Sequence, residues 1–277
     1  MTIEDIILDN DRRGISHLRP YVPADFCDRA AQFVLDNPGT AFIVTGFYIL
    51  DAGLIETDGP PGAIAIGNAL EQLGYNVAYV TDSYGTAVME GTKSNAASVI
   101  DFPIAGDAES EAFAQQLISE HDPSVIIAIE RCGFTHDRKY RNMRGRDISQ
   151  YTARADYLFR HHERTVGIGD GGNEIGMGNV ANEVTTVESL VKEPCVTEVS
   201  ELVLASVSNW GGYGLAASLS KLSGKNLLPT VEEDMATIRR TADIGAVDGM
   251  SGIQEYKADG FTLEENAETL RALHALL

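Results

Sequence analysis

Six short apolar stretches, each followed by a polar turn and then by a longer amphipathic segment, dominate this 277-residue sequence. The six stretches are Ala41–Gly46, Val77–Thr81, Ala97–Asp101, Ser124–Ile129, Thr165–Ile168 and Glu201–Ser206. They are apolar almost throughout instead of alternating, which is typical of strands covered on both faces. Such repeated strand–helix units predict a three-layer α/β fold: a doubly wound, mainly parallel sheet with helices on both faces.

Helices are predicted between and around these strands. The predicted helical segments are Ile3–Asn10, Ala24–Asp36, Pro61–Leu73, Glu109–His121, Asp147–Phe159, Asn173–Val184, Trp210–Leu222 and Leu263–Leu277. Because we find no linker, internal repeat or break in composition, we expect a single domain over residues 1–277. The least regular section, Thr230–Gly260, is expected to form a lid or a dimer contact, so a homo-oligomer is an open alternative.

The charge and cysteine content exclude several classes of protein. Against 21 Lys and Arg stand 41 Asp and Glu, a formal net charge of −20, which disfavours binding to nucleic acids and to membrane surfaces. No apolar run approaches the roughly 18 residues that span a bilayer, and the acidic start lacks the pattern of a signal peptide. Three widely spaced cysteines predict neither a disulfide framework nor a zinc site. We therefore expect an acidic cytoplasmic protein that binds neither nucleic acids nor membranes.

A glycine-rich loop after the fifth predicted strand is the strongest candidate for chemistry. The segment Gly167–Asn179 holds six glycines, which favours a tight loop whose backbone N–H groups face an anion or a developing oxyanion. It lacks the Lys-Ser/Thr of a P-loop, and Asp170 interrupts the spacing of a dinucleotide fingerprint. Asp170, Asn173 and Glu174 supply its polar side chains. These three are the candidate catalytic residues.

A basic segment follows the fourth predicted strand. Positions 131 to 146 hold six Arg and Lys residues in a chain that is otherwise strongly acidic. Arginine binds a carboxylate through two parallel hydrogen bonds, so Arg131, Arg141 and Arg144 are candidate anion-binding residues and a small acidic substrate is the expected partner. A solvated basic loop paired with the acidic surface is the alternative interpretation.

Further polar residues follow the first and sixth predicted strands. Asp58 and Glu56 precede a proline-started helix, where they act as a cap or line the mouth of a pocket. Asn209 precedes Trp210 and is a candidate N-cap that also faces a ligand. Asp248 is a weaker candidate of the same kind.

Taken together, these segments resemble the D-glutamate cyclase family, specifically its C-terminal cyclase-like domain. The matching stretches, in order along the chain, are TGFYI, ETDGPPGA, RNMRGRDIS, IGDGGNEIGMGN, SNWGGYGLAA and AVDG. The chain is similar to a standalone member of bacterial or archaeal type, without the additional N-terminal domain of other members. The resemblance implies an α/β lyase that converts D-glutamate to 5-oxo-D-proline and water.

That reaction assigns roles by its chemistry. Lactam formation needs a base for the amine, for which Asp170 or Glu174 is expected, and an acid with a raised pKa for the departing oxygen. Asn173, or backbone N–H groups of the glycine loop, would meet the oxyanion. The expected substrate-binding residues are Arg131, Arg141, Arg144, Gly171, Gly172, Asn209 and Asp58.

Three alternatives remain open from the sequence. No cofactor is firmly implied, but Asp58, Glu130, Asp170 and Glu174 could hold Mg²⁺ or Ca²⁺ for a metal-assisted hydrolase or lyase. The chain could instead be a non-enzymatic sensor of an acidic metabolite, with the basic segment as its receptor. A pyridoxal-phosphate enzyme using Lys93 is the most remote alternative.

Overall fold

The six predicted strands lie side by side in one parallel sheet in the computed structural model, which describes residues 1–277. They are β1 (Thr40–Thr45), β2 (Asn76–Thr81), β3 (Ser98–Asp101), β4 (Pro123–Ile129), β5 (Thr165–Gly169) and β6 (Glu201–Leu204). Their order in the sheet is β3-β2-β1-β4-β5-β6, and every neighbouring pair is parallel. The chain leaves the sheet at β3 and returns beside β1, which creates a switch point between β1 and β4. The predicted fold class is confirmed.

Helices cover both faces of this sheet. They are α1 (Ile3–Ile7), α2 (Phe26–Leu35), α3 (Pro60–Gln72), α4 (Thr86–Thr92), α5 (Asp107–His121), α6 (Asp156–Arg160), α7 (Ala181–Val184), α8 (Ser208–Ser223), α9 (Val231–Ile244) and α10 (Leu263–His274). Successive side chains of a strand point to opposite faces. Ala41 and Ile43 accordingly belong to a core shared with α1, α2, α3, α8 and α10. Phe42 and Val44 belong to a smaller core shared with α5 and α6.

Two predicted helices are largely replaced by irregular structure. Of the predicted segment Asp147–Phe159, only a 3₁₀ turn at Ser149–Tyr151 and the short α6 are helical. Of Asn173–Val184, the helical part begins at Met177. The reason is local: Gly176 has φ +106, a conformation that ends a right-handed helix, and Glu174 pairs instead with Cys132 in an isolated bridge.

Two helices were not predicted. The structure forms α4 after β2, and it forms α9 inside the section Thr230–Gly260 that we expected to be irregular. The start of α9 carries a capping box, in which Thr230 accepts from the backbone of Glu233 and the Glu233 side chain accepts from the backbone of Thr230. The signal T-x-x-E was therefore present in the sequence. A dimer contact of this section stays a prediction.

No helix in the structure has both the length and the apolar character that a bilayer-spanning segment requires. Two short hairpins lie outside the sheet: Tyr48–Ile49 pairs with Leu54–Ile55, and Lys257–Ala258 pairs with Phe261–Thr262. The first of these follows β1 directly, at the edge of the sheet where the strands end.

Candidate active site

A cavity of about 350 Å³ opens at the carboxyl edge of the sheet. Loops after β1, β4 and β5 form its walls, and the segment Gly249–Gly252 contributes to its lining, as expected for a ligand site at a switch point. The volume lies near the lower end of the range for small-molecule sites. A larger cleft lies elsewhere, between α3 and α9, and contains none of the strand-end residues.

Buried carboxylates line this cavity. Glu56, Glu130, Asp170 and Glu174 all face it, and each is at most 5% exposed. Oxygen atoms of Glu130 and Asp170 also lie within 4.8 Å of one another and of an oxygen of Asp58. We name Glu56, Asp58, Glu130, Asp170 and Glu174 the carboxyl cluster. So many acids in a low-dielectric site cannot all carry charge without partners.

Burial and nearby negative charges raise the pKa values of Glu56, Glu130 and Asp170. Burial, together with the charges of Asp170 and Glu174, raises the pKa of Glu130 well above its usual range. Burial followed by repulsion from Asp58 does the same to the pKa of Glu56. Burial also raises the pKa of Asp170 well above its usual range, although the nearby Arg13 guanidinium opposes this shift. Each of these shifts favours the protonated form of the carboxyl group.

Arg13 is a partly buried cation that lines the cavity. It follows α1 in a loop held by Asp11, whose carboxylate accepts the backbone N–H groups of Arg13, Gly14 and Ser16. One nitrogen of its guanidinium donates to Asp170 Oδ1 and the other to Asp259 Oδ1. Burial alone would lower the pKa of Arg13, but the charges of Asp170 and Asp259 raise it well above its usual value. Arg13 therefore offsets part of the negative charge of the cluster.

The glycine loop holds Glu174 instead of offering free N–H groups. The backbone N–H of Gly171 donates to Glu174 Oε1 and that of Gly172 to Oε2, both at 2.8 Å. Gly172 has φ +102, and a Cβ there would lie 2.6 Å from Val184 Cγ1, so only glycine fits. We expected these two N–H groups to face an oxyanion, but both already donate to the Glu174 carboxylate. In this loop they anchor a carboxylate.

Two polar atoms of the same loop have no partner. Asp170 Oδ2 and Asn173 Oδ1 are buried and accept no hydrogen bond, and both residues line the cavity. Asn173 is oriented by its Nδ2, which donates to the Arg141 carbonyl at 2.9 Å. Because buried acceptors without donors cost free energy, these atoms are the places where a ligand N–H would bind.

Glu130 stands at the end of β4 in a strained conformation. Its φ of +43 is rare for a residue with a side chain, and such strain is common where function fixes a geometry. The hydroxyl of Ser208 donates to Glu130 Oε2 at 2.5 Å, which fixes the side chain. A Cβ on Gly59 would lie 2.7 Å from Glu130 Cβ, so glycine is required for this approach of two loops.

Asp58 and Asn209 join the first loop to the start of α8. Asp58 accepts backbone N–H groups of Ser208 at 2.9 Å and of Asn209 at 2.7 Å. Asn209 Oδ1 in turn accepts the backbone N–H groups of Gly59 and Gly62. Burial and the charge of Asp259 raise the pKa of Asp58 to about 7, against the effect of these N–H bonds. Neither Asp58 nor Asn209 lines the cavity, so both lie behind its wall.

The three predicted arginines lie in different environments. Arg131 is fully buried and binds Asp82 at 2.7 Å and the carbonyls of Gly46 and Ala153, away from the cavity lining. Arg141 pairs with Asp137 and Glu193 at the surface. Of the three, Arg144 alone lines the cavity; its side chain is 74% exposed and lies 3.6 Å from Asp51. The basic segment is therefore mostly engaged with protein partners.

Sequence reasoning missed Arg13 and Asp259. Arg13 lies in Asp11-Arg12-Arg13-Gly14, a polar turn outside the strand–loop–helix pattern on which we based the candidates. Its partners lie 157 and 246 positions away along the chain, which no local pattern reveals. Glu56 and Glu130 were considered from the sequence as pocket and metal-ligand candidates, and the structure places both at the cavity.

The comparisons with known proteins agree with these observations. The sequence profile of a family described as "D-glutamate cyclase-like, C-terminal" matches residues 3–274. Over 237 residues the chain is 31% identical to a human protein named "D-glutamate cyclase, mitochondrial", covering 76% of this chain. The chain spans 37% of the length of that relative. On the extent of the profile match and on this identity, the chain belongs to the D-glutamate cyclase-like family.

Proposed function

We propose that this protein is a lyase that cyclises D-glutamate to 5-oxo-D-proline with release of water. The observation that carries the proposal is the pair of buried, unpartnered acceptors, Asp170 Oδ2 and Asn173 Oδ1, at a cavity otherwise lined by carboxyl groups. A substrate with an ammonium group supplies the donors that these atoms lack. Membership of the family, and the name of the human relative, point to the same substrate.

Arg144 is the residue we assign to the α-carboxylate of the substrate. It lines the cavity and is mostly exposed, and its contact with Asp51 at 3.6 Å is long, so its guanidinium is free to turn towards a ligand. Arg13, in contrast, is occupied by Asp170 and Asp259. The substrate would thus enter with its ammonium towards the glycine loop and its α-carboxylate towards the mouth.

The carboxyl cluster makes the γ-carboxyl group of the substrate reactive. An ionised carboxylate is a poor electrophile, and buried negative charges around it favour its neutral acid form. Glu130 is suited to give it a proton because burial and the charges of Asp170 and Glu174 raise the pKa of Glu130. The site thereby favours the protonation state in which the γ-carbon accepts a nucleophile.

Asp170 is suited to act as the base. Its free Oδ2 takes a proton from the substrate ammonium, and the neutral amine then attacks the γ-carbon, forming the C–N bond. Glu130, ionised after it has protonated the γ-carboxylate, takes the second proton of the nitrogen and gives it to the hydroxyl, which leaves as water as the C–O bond breaks. Asp170 then returns its proton to Glu130 within the carboxyl cluster. Two protons leave the nitrogen and two reach the departing oxygen, so the carboxyl cluster ends with the protons it began with. Because the reaction is intramolecular, orientation supplies much of the acceleration.

The reaction is tested by incubating the purified protein with D-glutamate, with L-glutamate and with 5-oxo-D-proline, each with and without a chelator. We expect 5-oxo-D-proline and water to form from D-glutamate, detected by chiral chromatography, and the chelator to leave the rate unchanged. No turnover of D-glutamate under any of these conditions would contradict the proposal.

A second candidate is a metal-assisted reaction on a small carboxylate. Oxygen atoms of Asp58, Glu130 and Asp170 within 4.8 Å of one another favour it, since carboxylate oxygens are the ligands of Mg²⁺. Two contacts count against it: Asp170 Oδ1 is bound to Arg13, and the Asp58 oxygens accept backbone N–H groups. Activity that disappears with chelator and returns with Mg²⁺ would favour this candidate.

A cytoplasmic location stays a prediction; the name of the human relative places that protein in mitochondria.

A further inference from the structure

A second cleft, of about 690 Å³, lies between α3 and α9. Its walls are completed by the residues after α4 and by the segment Leu227–Pro229 that leads into α9. It shares no lining residue with the candidate active site. The cleft is therefore a separate feature, which the proposed cyclisation does not use.

Asp234 lines this cleft, and one of its carboxylate oxygens has no partner. Asp234, on the first turns of α9, is 3% exposed, and the buried hydroxyl of Tyr213 donates to its Oδ1. Its Oδ2 is buried and accepts no hydrogen bond. Burial raises the pKa of Asp234 to about 6, although the bond from Tyr213 opposes this. In its ionised form the group lacks a cationic partner.

The other charges of the cleft indicate which ligand Asp234 would take. Glu71 and Glu233 also line it, against a single cation, Lys93. Lys93 is already held by the Ser94 carbonyl at 3.3 Å and by Glu90 at 3.6 Å. The surplus of carboxylates disfavours an anion and favours a cation.

One part of the cleft wall is apolar. It is formed by Ile64 and Ala65 of α3 together with Leu227 and Leu228, and Ala236 lies at the exposed side of the cleft. An aliphatic chain would bury its methylene groups against these side chains, while an ammonium at its end would reach the buried carboxylate. Both halves of such a ligand have a matching surface.

We propose that this cleft binds a primary aliphatic amine, with the ammonium group on Asp234 Oδ2 and the alkyl chain against Ile64, Leu227 and Leu228. The site goes beyond the proposed cyclisation, and its test requires no turnover. A small amine of this kind is expected to bind with a Kd of about 1 mM, as its size allows.

The experiment is isothermal titration calorimetry of the whole protein with butylamine, butan-1-ol and L-leucine in about 0.15 M salt, which screens non-specific attraction to the acidic surface. We expect saturable binding of one butylamine per chain, and binding of butan-1-ol and L-leucine at least tenfold weaker. Absence of saturable butylamine binding would overturn the proposal. So would butan-1-ol or L-leucine binding as tightly as the amine.

Variants locate the site. Asp234→Asn keeps the shape and the acceptor for Tyr213 but loses the charge, and we expect it to weaken butylamine binding about tenfold. Ala236→Phe fills the exposed side of the cleft without disturbing the core, and we expect it to abolish binding. Glu232→Gln removes a charge from the exposed face of the same helix, outside the cleft, and should bind as the parent does. Parent-like binding by both Asp234→Asn and Ala236→Phe would contradict this assignment.

Discussion

Replacing Arg13 by glutamine removes the buried cation from the carboxyl cluster. Its side chain is 17% exposed, and it bridges Asp170, which is 1% exposed, to Asp259, which is 4% exposed. The neighbouring Arg12 offers a matched control, because its side chain is 49% exposed and its partner Glu265 lies 3.5 Å away at the surface. Both substitutions replace arginine by glutamine, and the two arginine side chains differ in burial.

The size of the effect follows from the environment. Removing one partner of a buried ion pair costs about 3–5 kcal/mol, whereas an exposed pair contributes about 1 kcal/mol or less. Burial raises the pKa values of Asp170 and Asp259 in the folded state, and Arg13 opposes that rise. Without Arg13 both pKa values rise further, so the folded state must bind protons that the unfolded state has released. Its stability therefore falls more steeply than that of the parent as the pH increases.

The assay is urea unfolding of the parent, Arg13→Gln and Arg12→Gln at about pH 5 and about pH 8. We expect Arg13→Gln to lose about 3–5 kcal/mol at the higher pH and clearly less at the lower one, where protons replace the missing cation. Arg12→Gln should lose about 1 kcal/mol or less at both. Equal losses in the free energy of unfolding for the two variants would refute this expectation. So would a loss for Arg13→Gln, relative to the parent, that is smaller at the higher pH than at the lower pH.

Three further predictions concern the loops. Gly172→Ala should cost about 2 kcal/mol or more in thermal or urea unfolding, because of its φ of +102 and the contact with Val184. A Cβ at Gly171 meets the ends of the Met143, Glu174 and Asn173 side chains at 2.6, 3.0 and 3.1 Å, so Gly171→Ala should cost about 1 kcal/mol. Arg131→Lys should lower the free energy of unfolding by about 3 kcal/mol and change KM for D-glutamate less than about twofold; a large KM effect would instead make it a substrate ligand. Arg144→Lys should raise that KM about tenfold, or about 1.4 kcal/mol, with Arg138→Lys unchanged; equal kinetics for these two would place the substrate carboxylate elsewhere.

The strands could be predicted because their signal is local. Fully apolar stretches such as Ser124–Ile129 need cover on both faces, and the structure gives them that cover. The ends of the helices were harder to predict from the sequence. The glycine loop contains enough helix-forming residues after Asn173 to suggest a helix, but the conformation of Gly176 and the bonds to Glu174 override that preference.

The sequence allowed us to predict polar residues within each loop of the candidate site, but not the contacts between loops. Asp170, Asn173 and Glu174 follow a predicted strand, and open parallel sheets bind ligands at the carboxyl ends of their strands. These three residues could therefore be predicted to lie at a ligand site. Which groups are free and which are engaged depends on distant partners. Arg131 looked available from the sequence, yet Asp82 and two carbonyls engage it. Conversely, Arg13 lies in a turn near the N-terminus and donates to Asp170 of the carboxyl cluster.

The central claim is that the free oxygen of Asp170 takes the proton that starts the cyclisation. It is tested most directly by the rate at which Asp170→Asn forms 5-oxo-D-proline from D-glutamate, with Asp36→Asn as a control at an exposed carboxylate at the C-terminal end of α2. We expect Asp170→Asn to lose at least about a hundredfold in kcat, as loss of a general base does, with the fold intact by circular dichroism, and Asp36→Asn to match the parent. Parent-like formation of 5-oxo-D-proline by Asp170→Asn would contradict the account.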